Sequence, residues 1–243
     1  MIELIRTEAR LTLREPIGIA FSLLLPLAIV LAFGLSASAA QPDPELDDQV
    51  PLDTILPSLA LALAFGMAAI FMLPGFMADY RMRGVLRRLS TTPVHPAKLL
   101  AAQVVVQGVV ALISVPLVLG LATALGMNLP EAPLALIAVI LLGGAALFAV
   151  GTLVSAVAPD AKVGYVYSAA FFFPSLFFAG IWLPKEQMPG WLSRFGDFTP
   201  LGAFRESLEN AFTGAGQDPL MLLTLAVTAV GAGTVAARVF RWE

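Results

Sequence analysis

Six long stretches of the sequence contain no charged residue and no histidine. They cover residues 17–39, 54–77, 99–125, 133–157, 164–183 and 219–237. An α-helix rises about 1.5 Å per residue, so each stretch is long enough to cross the ~30 Å hydrocarbon core of a bilayer. An Arg or Lys at the centre of a membrane helix costs roughly 2.5–3.5 kcal/mol, which explains the exclusion. The sequence therefore predicts an all-α membrane protein with six transmembrane helices.

The composition excludes several other classes of protein. A mean hydropathy of +0.87 is too apolar for a water-soluble domain, which needs more polar groups on its surface. The chain has no cysteine, so disulfides and thiolate metal sites are impossible, and it lacks the phosphate-binding pattern G-x-x-x-x-G-K-[ST]. We expect no cofactor in this chain and no nucleotide hydrolysis by it. The small residues at 36–39 resemble a signal-peptide cleavage site, but the apolar stretch before them is long, which favours an uncleaved anchor.

The distribution of Lys and Arg predicts the orientation. Eleven of the fourteen cations fall in the N-terminal segment, in the loops 78–98 and 158–163, and in the C-terminal tail. The opposite side holds only Lys185, Arg194 and Arg205, and its first loop carries five acids and no base. Because loops rich in Lys and Arg stay in the cytoplasm, both termini are predicted to be cytoplasmic. We find no internal repeat, so residues 1–243 are predicted to form one transmembrane domain.

The loop between the second and third spans is strongly basic. Residues 79–100 hold five of the fourteen cations. Apolar residues recur at helical spacing from Met82 onward, which predicts a short amphipathic helix that ends before Pro93. Such a helix is either an anchor on anionic lipid or a docking element for a cytosolic partner, and periodicity does not decide between the two.

The first sixteen residues predict another interfacial helix. Its apolar face consists of Ile2, Ile5, Ala9 and Leu13. Its basic face consists of Arg6, Arg10 and Arg14, at i, i+4 steps. Lipid anchoring and contact with a partner both remain open for it.

The segment 184–218 is too long and apolar for a plain outer loop. Thr199 is predicted to cap a helix that has Pro200 at its first position and that ends at Gly214. In this helix Arg205 pairs with Glu209, four residues on. The helix lies on or dips into the outer leaflet, as a structural lid or as an exit gate.

Aromatic and polar residues within the spans have structural and functional interpretations. The fifth span carries Phe171, Phe172, Phe177 and Phe178. These rings either pack against helices and lipid or line a path for an apolar substrate. Gln103 and Gln107 are predicted to bond neighbouring helices, with contact to a substrate as the alternative. Four prolines are predicted to kink their spans: Pro26, Pro74, Pro116 and Pro174. Close helix contacts are predicted at Gly66, Gly143, Gly144, Gly151, Gly231 and Gly233.

Two motifs resemble one protein family. The run Asp79-Tyr80-Arg81-x-Arg83-Gly84-x-Leu86-x-Arg88-Leu89, followed by Thr92-Pro93-Val94, resembles the cytoplasmic loop of ABC-2-type permeases, which include the daunorubicin/doxorubicin-resistance permeases. Gly180-x-x-x-Pro184, Met188-Pro189-x-Trp191-Leu192 and Pro200-Leu201 with Arg205 resemble that family's fifth span and outer loop. Met82-Arg83 departs from the expected pattern, since we expect a second acidic residue before the glycine. Met82 has no charge, so it would not form the ion pair with an ATPase that an acidic residue at this position would form.

The resemblance implies roles for particular residues. The family's coupling helix contacts a separate ATPase, and here it would use Asp79, Arg81, Arg83, Gly84, Leu86, Arg87, Arg88, Leu89 and Pro93. Arg6, Arg10 and Arg14 would lie on the helix that braces the ATPase. Short re-entrant helices would close the outer end of the pathway, at Pro184, Pro189, Trp191, Pro200 and Arg205. Phe171, Phe172, Phe177 and Phe178 are the candidates for a substrate path.

The resemblance also implies a function. The chain would be the permease subunit of an ATP-driven exporter in the bacterial cytoplasmic (inner) membrane, moving a hydrophobic or amphipathic molecule such as a drug, natural product or lipid. Its partners would be an ATPase subunit that binds ATP and Mg, a second permease subunit, identical or different, and membrane lipid, with no nucleic acid. One alternative is an ion-coupled secondary transporter, which normally holds ionisable groups at mid-membrane. The other is a membrane scaffold without transport activity.

Overall fold

The computed structural model describes residues 1–14, 16–36, 38–44, 49–85, 96–158, 160–183 and 185–239. These residues form mainly helices, and the only β-pairing among them is an isolated bridge between Asp43 and Gln49. The helices of the described part are α1 (Ile2–Leu13), α2 (Pro16–Gly34), α3 (Ile55–Met82), α4 (Pro96–Ala124), α5 (Pro133–Val157), α6 (Ala161–Phe178), α7 (Gly190–Asp197), α8 (Pro200–Thr213) and α9 (Pro219–Val239).

The predicted spans coincide with α2, α3, α4, α5, α6 and α9. Among the described residues, four helices (α3, α4, α5 and α9) are long and apolar enough to cross a membrane. A fifth span is present if α1 and Gly18–Gly34 form one span with a bend of 68°. The helix α6 ends at Phe178, earlier than predicted, because Gly180 follows with a φ of 79°. The all-helical membrane fold is therefore confirmed, whereas the number of six spans stays a prediction.

The helix α3 lies at the centre of the bundle. In its most apolar segment 83% of the residues are buried within the subunit, compared with 11% for α9. The helices α2, α4, α5, α6 and α8 all contact α3. A displacement of α3 must therefore change the packing of most of the bundle.

Glycines allow the closest approaches to α3 and α8, as the sequence predicted for three of them. The ring of Phe204 in α8 occupies the space that a side chain at Gly143 would need, and Gly66 lies against Leu201. Gly151 of α5 lies against the backbone carbonyl of Ala69 in α3. Gly231, in contrast, has open space where its side chain would be, so it makes no such contact within the subunit.

A short π-helical segment, Met67–Met72, interrupts α3 immediately before Pro74. The N–H of Leu73 bonds the carbonyl of Ala68, and Pro74 has no N–H to donate. The carbonyl of Ala69 therefore has neither the donor four residues on, Leu73, as in an α-helix, nor the donor five residues on, Pro74, as in a π-helix. Gly151 packs against this carbonyl. Segments of this kind often occur at functional sites. The kink predicted at Pro74 stays a prediction.

The helix α8 is buried inside the half of the bundle that is predicted to face outward, which we call the outer half. Thr199 accepts a hydrogen bond from the Gly202 N–H at 3.2 Å, Pro200 occupies the first position, and Gly214 follows the helix with a φ of 69°. At one end Leu201 lies against Gly66 of α3; at the other, Ala211 accepts a hydrogen bond from the N–H of Ala132 at 3.1 Å. The predicted cap, first residue and end of this helix are confirmed. It packs within the protein instead of lying on its surface.

The Gly151 contact yields a prediction. Gly151→Ala should destabilise the protein by about 1–3 kcal/mol, because the new methyl group meets a backbone carbonyl that cannot rotate away. The matched variant Gly231→Ala places its methyl group in open space and should be neutral or slightly stabilising. Thermal unfolding of both variants in detergent measures the difference. Equal midpoints for the two variants would show that the approach of α5 to α3 is not tight.

Candidate functional site

Three consecutive residues at the end of α3 bond three different helices. Asp79 Oδ1 accepts a hydrogen bond from the hydroxyl of Tyr165 in α6 at 2.7 Å. The hydroxyl of Tyr80 donates to Glu8 of α1. Arg81 Nη1 donates to the carbonyl oxygen of Ser155 in α5 at 2.9 Å. We call Asp79, Tyr80, Arg81 and their bonding partners the α3 hub.

The interior of the hub is a buried trio of polar side chains. Gln103 of α4 donates from Nε2 to Glu8 Oε2 at 2.6 Å and to the Tyr80 oxygen at 3.2 Å. Glu8 is 3% exposed and Gln103 is fully buried. The prediction that Gln103 bonds neighbouring helices is confirmed. The hub therefore joins α1, α4, α5 and α6 to one end of α3.

The environment of Glu8 disfavours its charge. Burial raises the pKa of the Glu8 carboxyl above its ordinary value of 4.5, and the hydrogen bonds from Tyr80 and Gln103 offset part of that increase. These two bonds come from neutral groups, so they stabilise the carboxylate through dipoles and not through an opposite charge.

The face of α1 that contacts the bundle differs from the predicted apolar face. Glu8 and Thr12, four residues apart, are buried, and Leu4 packs against the core one turn earlier. Ile2 and Leu13, predicted to share an apolar face, are 68% and 70% exposed. The basic residues Arg6, Arg10 and Arg14 are exposed. Sequence reasoning missed Glu8 because an acidic residue in a basic amphipathic helix is usually solvated, as Glu3 of the same helix is.

The helix α3 ends where the predicted amphipathic helix was expected to begin. Met82 is the last residue of α3, and Gly84 has a φ of 66°, which residues other than glycine rarely adopt. Met82 and Val85 therefore do not share one continuous helix, which corrects the predicted start. Asp79 and Arg81, predicted to contact an ATPase, make the bonds within the subunit described above. The predicted coupling residues that lie outside the described residues are Leu86, Arg87, Arg88, Leu89 and Pro93.

A second polar cluster holds the outer hairpin of α7 and α8 together. Lys185, 8% exposed, lies 2.5 Å from Asp197 at the end of α7 and 2.8 Å from Glu206 in α8. Arg205, 3% exposed, pairs with Glu209 at 2.6 Å, as predicted. We call these five residues the outer ion cluster. Because its cations are buried, removing either carboxylate partner of Lys185 should loosen the hairpin.

The other predicted gate residues lie at the ends of these short helices or on their surface. Pro189 directly precedes α7, and Pro200 begins α8. Trp191 is 73% exposed. Pro184 lies outside the described residues.

The phenylalanines of α6 do not share one environment. Phe172 is 4% exposed, and its ring centroid lies 5.5 Å from that of Phe71 in α3. Phe171 is 54% exposed and points away from the subunit core. Phe178 lies 4.9 Å from Phe195 of α7, ring centre to ring centre. Within one subunit Phe172 and Phe178 thus pack between helices. Phe177 is half-buried, with its ring centroid 5.7 Å from that of Phe178, and Phe171 is the most exposed of the four candidates.

In the ranges that the structure describes, no group of three or more His, Asp or Glu side chains is arranged to hold a metal ion. A family model described as ABC-2 type transporter matches residues 1–212. No curated protein sequence matches the chain.

The raised pKa of Glu8 yields a prediction about stability. A carboxyl whose pKa is higher in the folded state binds its proton more tightly there, so this group stabilises the fold at low pH. That contribution is fully present below pH ~4.5 and is lost as the pH rises through the higher pKa of the folded state. Glu8→Gln keeps an acceptor oxygen without the charge, so its stability relative to the wild type should increase as the pH rises from 4.5 to 8.

Glu8→Ala is the matched control, because it removes the acceptor as well as the charge. It leaves Tyr80 and Gln103 without their buried partner and should be less stable than Glu8→Gln by about 1–3 kcal/mol at every pH, since neither variant has the titrating carboxyl. Unfolding midpoints measured in detergent between pH 4.5 and 8 test both variants. A constant difference between Glu8→Gln and the wild type over this range would contradict the raised pKa.

Proposed function

Because the chain belongs to the ABC-2 type transporter family, we propose that it is the permease subunit of an ATP-driven exporter. Members of this family are integral membrane subunits of ABC transporters that lack an ATPase site of their own and normally pair with an ABC ATPase subunit. Energy for transport by this chain would therefore come from a separate ATPase. That energy must reach the membrane helices through the cytoplasmic side of the subunit.

The α3 hub is the observation that carries the proposal. The basic loop that resembles a coupling helix follows directly after Met82, at the end of α3. A force on this loop acts first on Asp79, Tyr80 and Arg81, whose hydrogen bonds lead to α1, α4, α5 and α6. Since α3 is also the most buried span, its movement would reach the outer half through Gly66 and α8.

The outer half suggests how export would end. In the α7–α8 hairpin, α8 packs against the middle of α3, and the outer ion cluster holds α7 and α8 together. We propose that this hairpin is the exit gate. When α3 moves, the contact between Leu201 and Gly66 would change and the hairpin would open towards the outside.

The chemistry of the spans favours an apolar or amphipathic substrate. The six predicted spans contain no ionisable residue, so nothing within them would compensate the desolvation of a strongly charged molecule. Accessible aromatic groups such as Phe171 would contact an apolar substrate that enters laterally from the inner leaflet. Drugs, natural products and lipids share these properties.

The two alternative functions, ion-coupled transport and a membrane scaffold without transport activity, explain fewer of the observed features. An ion-coupled transporter needs ionisable groups near the middle of its spans, whereas the buried Glu8 lies in α1 and bonds the cytoplasmic end of α3. A scaffold without transport activity has no need for a buried polar hub directly before a basic loop.

The remaining features of the proposal concern the assembly. Two permease subunits, identical or different, would pair in a bacterial cytoplasmic membrane, each with six spans and both termini in the cytoplasm. The helix α9 lies beyond the matched residues, yet it packs against α5 and α8 and so belongs to the same domain.

Charge reversal in the basic loop tests the proposal. Arg87→Glu together with Arg88→Glu should abolish co-purification with the proposed ABC ATPase subunit and ATP-dependent export of a lipophilic dye from vesicles. The reason is that the loop becomes acidic and would repel the acidic groups of the ATPase that the wild-type loop would attract. The control, Lys162→Glu with Arg238→Glu, reverses two exposed charges elsewhere on the predicted cytoplasmic side. If the loop variant retains both co-purification and dye export at control levels, the loop does not couple the subunit to an ATPase.

A further inference from the structure

Lys185 links the chain that follows α6 to the α7–α8 hairpin. It lies in the segment between α6 and α7, so it belongs to neither helix of the hairpin. Its ammonium group is 2.5 Å from Asp197 at the end of α7 and 2.8 Å from Glu206 in α8. One side chain thus ties the segment after α6 to both helices of the hairpin.

The ion pairs of the outer ion cluster differ in what they connect and in how exposed they are. Arg205 and Glu209 both belong to α8, and their side chains are only 3% and 8% exposed, so this pair moves with the helix unbroken. The two carboxylates that Lys185 contacts are 29% and 25% exposed, so water can reach them. Separating a fully buried pair leaves an unpaired buried charge, whereas groups that water reaches can separate and rejoin. The contact of Lys185 is therefore the one that can open reversibly.

The opposite end of α8 is held by the backbone. The carbonyl of Ala211 accepts a hydrogen bond from the N–H of Ala132 at 3.1 Å, and the carbonyl of Phe212 accepts one from the N–H of Glu131 at 3.3 Å. These bonds join the last turn of α8 to the residues before α5 and do not depend on any side chain. Gly214 follows with a φ of 69°. Hinges are a few residues of this kind, at the end of an element, that absorb a change in backbone angles.

We propose that Lys185 is the latch of the exit gate and that the gate turns about the end of α8 at Phe212. This inference rests on the proposed function, since it takes the α7–α8 hairpin as the exit gate. Leu201 precedes Phe212 by about 16 Å along the helix axis, so a turn of about 20° would move it by about 6 Å and separate it from Gly66 of α3. Lys185 resists this turn, because its partner Glu206 lies on the part of α8 that moves.

The test measures how fast a charged thiol reagent reaches single cysteines on α8. The chain has no cysteine, so Leu201→Cys and Ala211→Cys each introduce a unique thiol. Both positions are fully buried, the first at the moving end of the helix and the second at the proposed hinge. The purified full-length chain in lipid nanodiscs is treated with a trimethylammonium methanethiosulfonate, and mass spectrometry follows the modified fraction with time.

Lys185→Met keeps a side chain of similar length and removes its charge. It should increase the labelling rate of Leu201→Cys by about tenfold, because two charge-assisted hydrogen bonds no longer favour the closed position. The rate for Ala211→Cys should change little, because the backbone bonds at that end remain. Asp197→Asn with Glu206→Gln keeps the lysine, removes the charge of its partners, and should give the same pattern.

The matched control is Arg194→Met, which removes an exposed cation of α7 outside the outer ion cluster. It should leave both labelling rates unchanged. Salt tests the latch without a mutation in it. An increase from about 50 mM to about 1 M NaCl screens the partly exposed contact and should speed the labelling of Leu201→Cys more than that of Ala211→Cys. This comparison decides the matter if Lys185→Met does not fold.

Three results would overturn the proposal. An equal increase at both cysteines would show that Lys185 stabilises the fold as a whole and that no hinge exists. An unchanged rate at Leu201→Cys would show that Lys185 does not hold the gate. The same increase with Arg194→Met would indicate a general effect of charge. Because the test needs neither an ATPase nor a substrate, failure of the proposed function would be seen separately, as an assembled complex that exports nothing although Lys185→Met releases Leu201→Cys.

Discussion

The hydrogen bonds of Tyr80 are the interaction on which the arrangement of the predicted cytoplasmic half depends. Tyr80, Glu8 and Gln103 come from three helices and are all buried. A buried polar group without a partner costs about 1–3 kcal/mol, so none of the three helices can move away alone without that penalty. The helices must either remain together or move together. Asp79 and Arg81 extend the same constraint to α6 and α5.

The outer half is held by different interactions. There the α7–α8 hairpin rests against α3 through glycine contacts and is closed by the outer ion cluster. Between the two halves, the π-helical segment Met67–Met72 places a carbonyl with reduced hydrogen bonding next to Gly151. The centre of α3 is thus its least regular part. A helix that is bonded firmly at one end and distorted in the middle can change its bend while the hub stays intact.

Much of the fold was predictable from the sequence, because the relevant signals are local. Exclusion of charge from a stretch of about twenty residues indicates a membrane helix, and each predicted stretch is helical. The limits of α8 were predicted correctly since Thr199, Pro200 and Gly214 act on the backbone next to them. The end of α3 was not predicted. The apolar spacing from Met82 to Val85 fits one continuous helix through Gly84. Spacing alone does not show that Gly84 adopts a positive φ, which ends the helix.

The hub itself was predicted only in part. Gln103 is a polar residue in an apolar span, which indicates a bond to another helix. Its partner Glu8 lies 95 positions away in a helix whose polar residues suggested solvent exposure. Asp79 and Arg81 were recognised by their resemblance to a docking loop, and no sequence pattern shows that their side chains turn back into the subunit. Contacts between distant segments depend on how the helices pack, which single-sequence patterns do not encode.

The central claim is that the hub transmits movement from the cytoplasmic loop to the membrane helices. The most direct measurement is the number of dye molecules exported per ATP hydrolysed by the complex of this chain and its ATPase, in the variant Tyr80→Phe. Tyr167→Phe, an exposed tyrosine on α6, is the control. The account predicts that Tyr80→Phe still assembles with the ATPase and hydrolyses ATP but exports several-fold less dye per ATP than the control. An unchanged ratio in an assembled complex would contradict it.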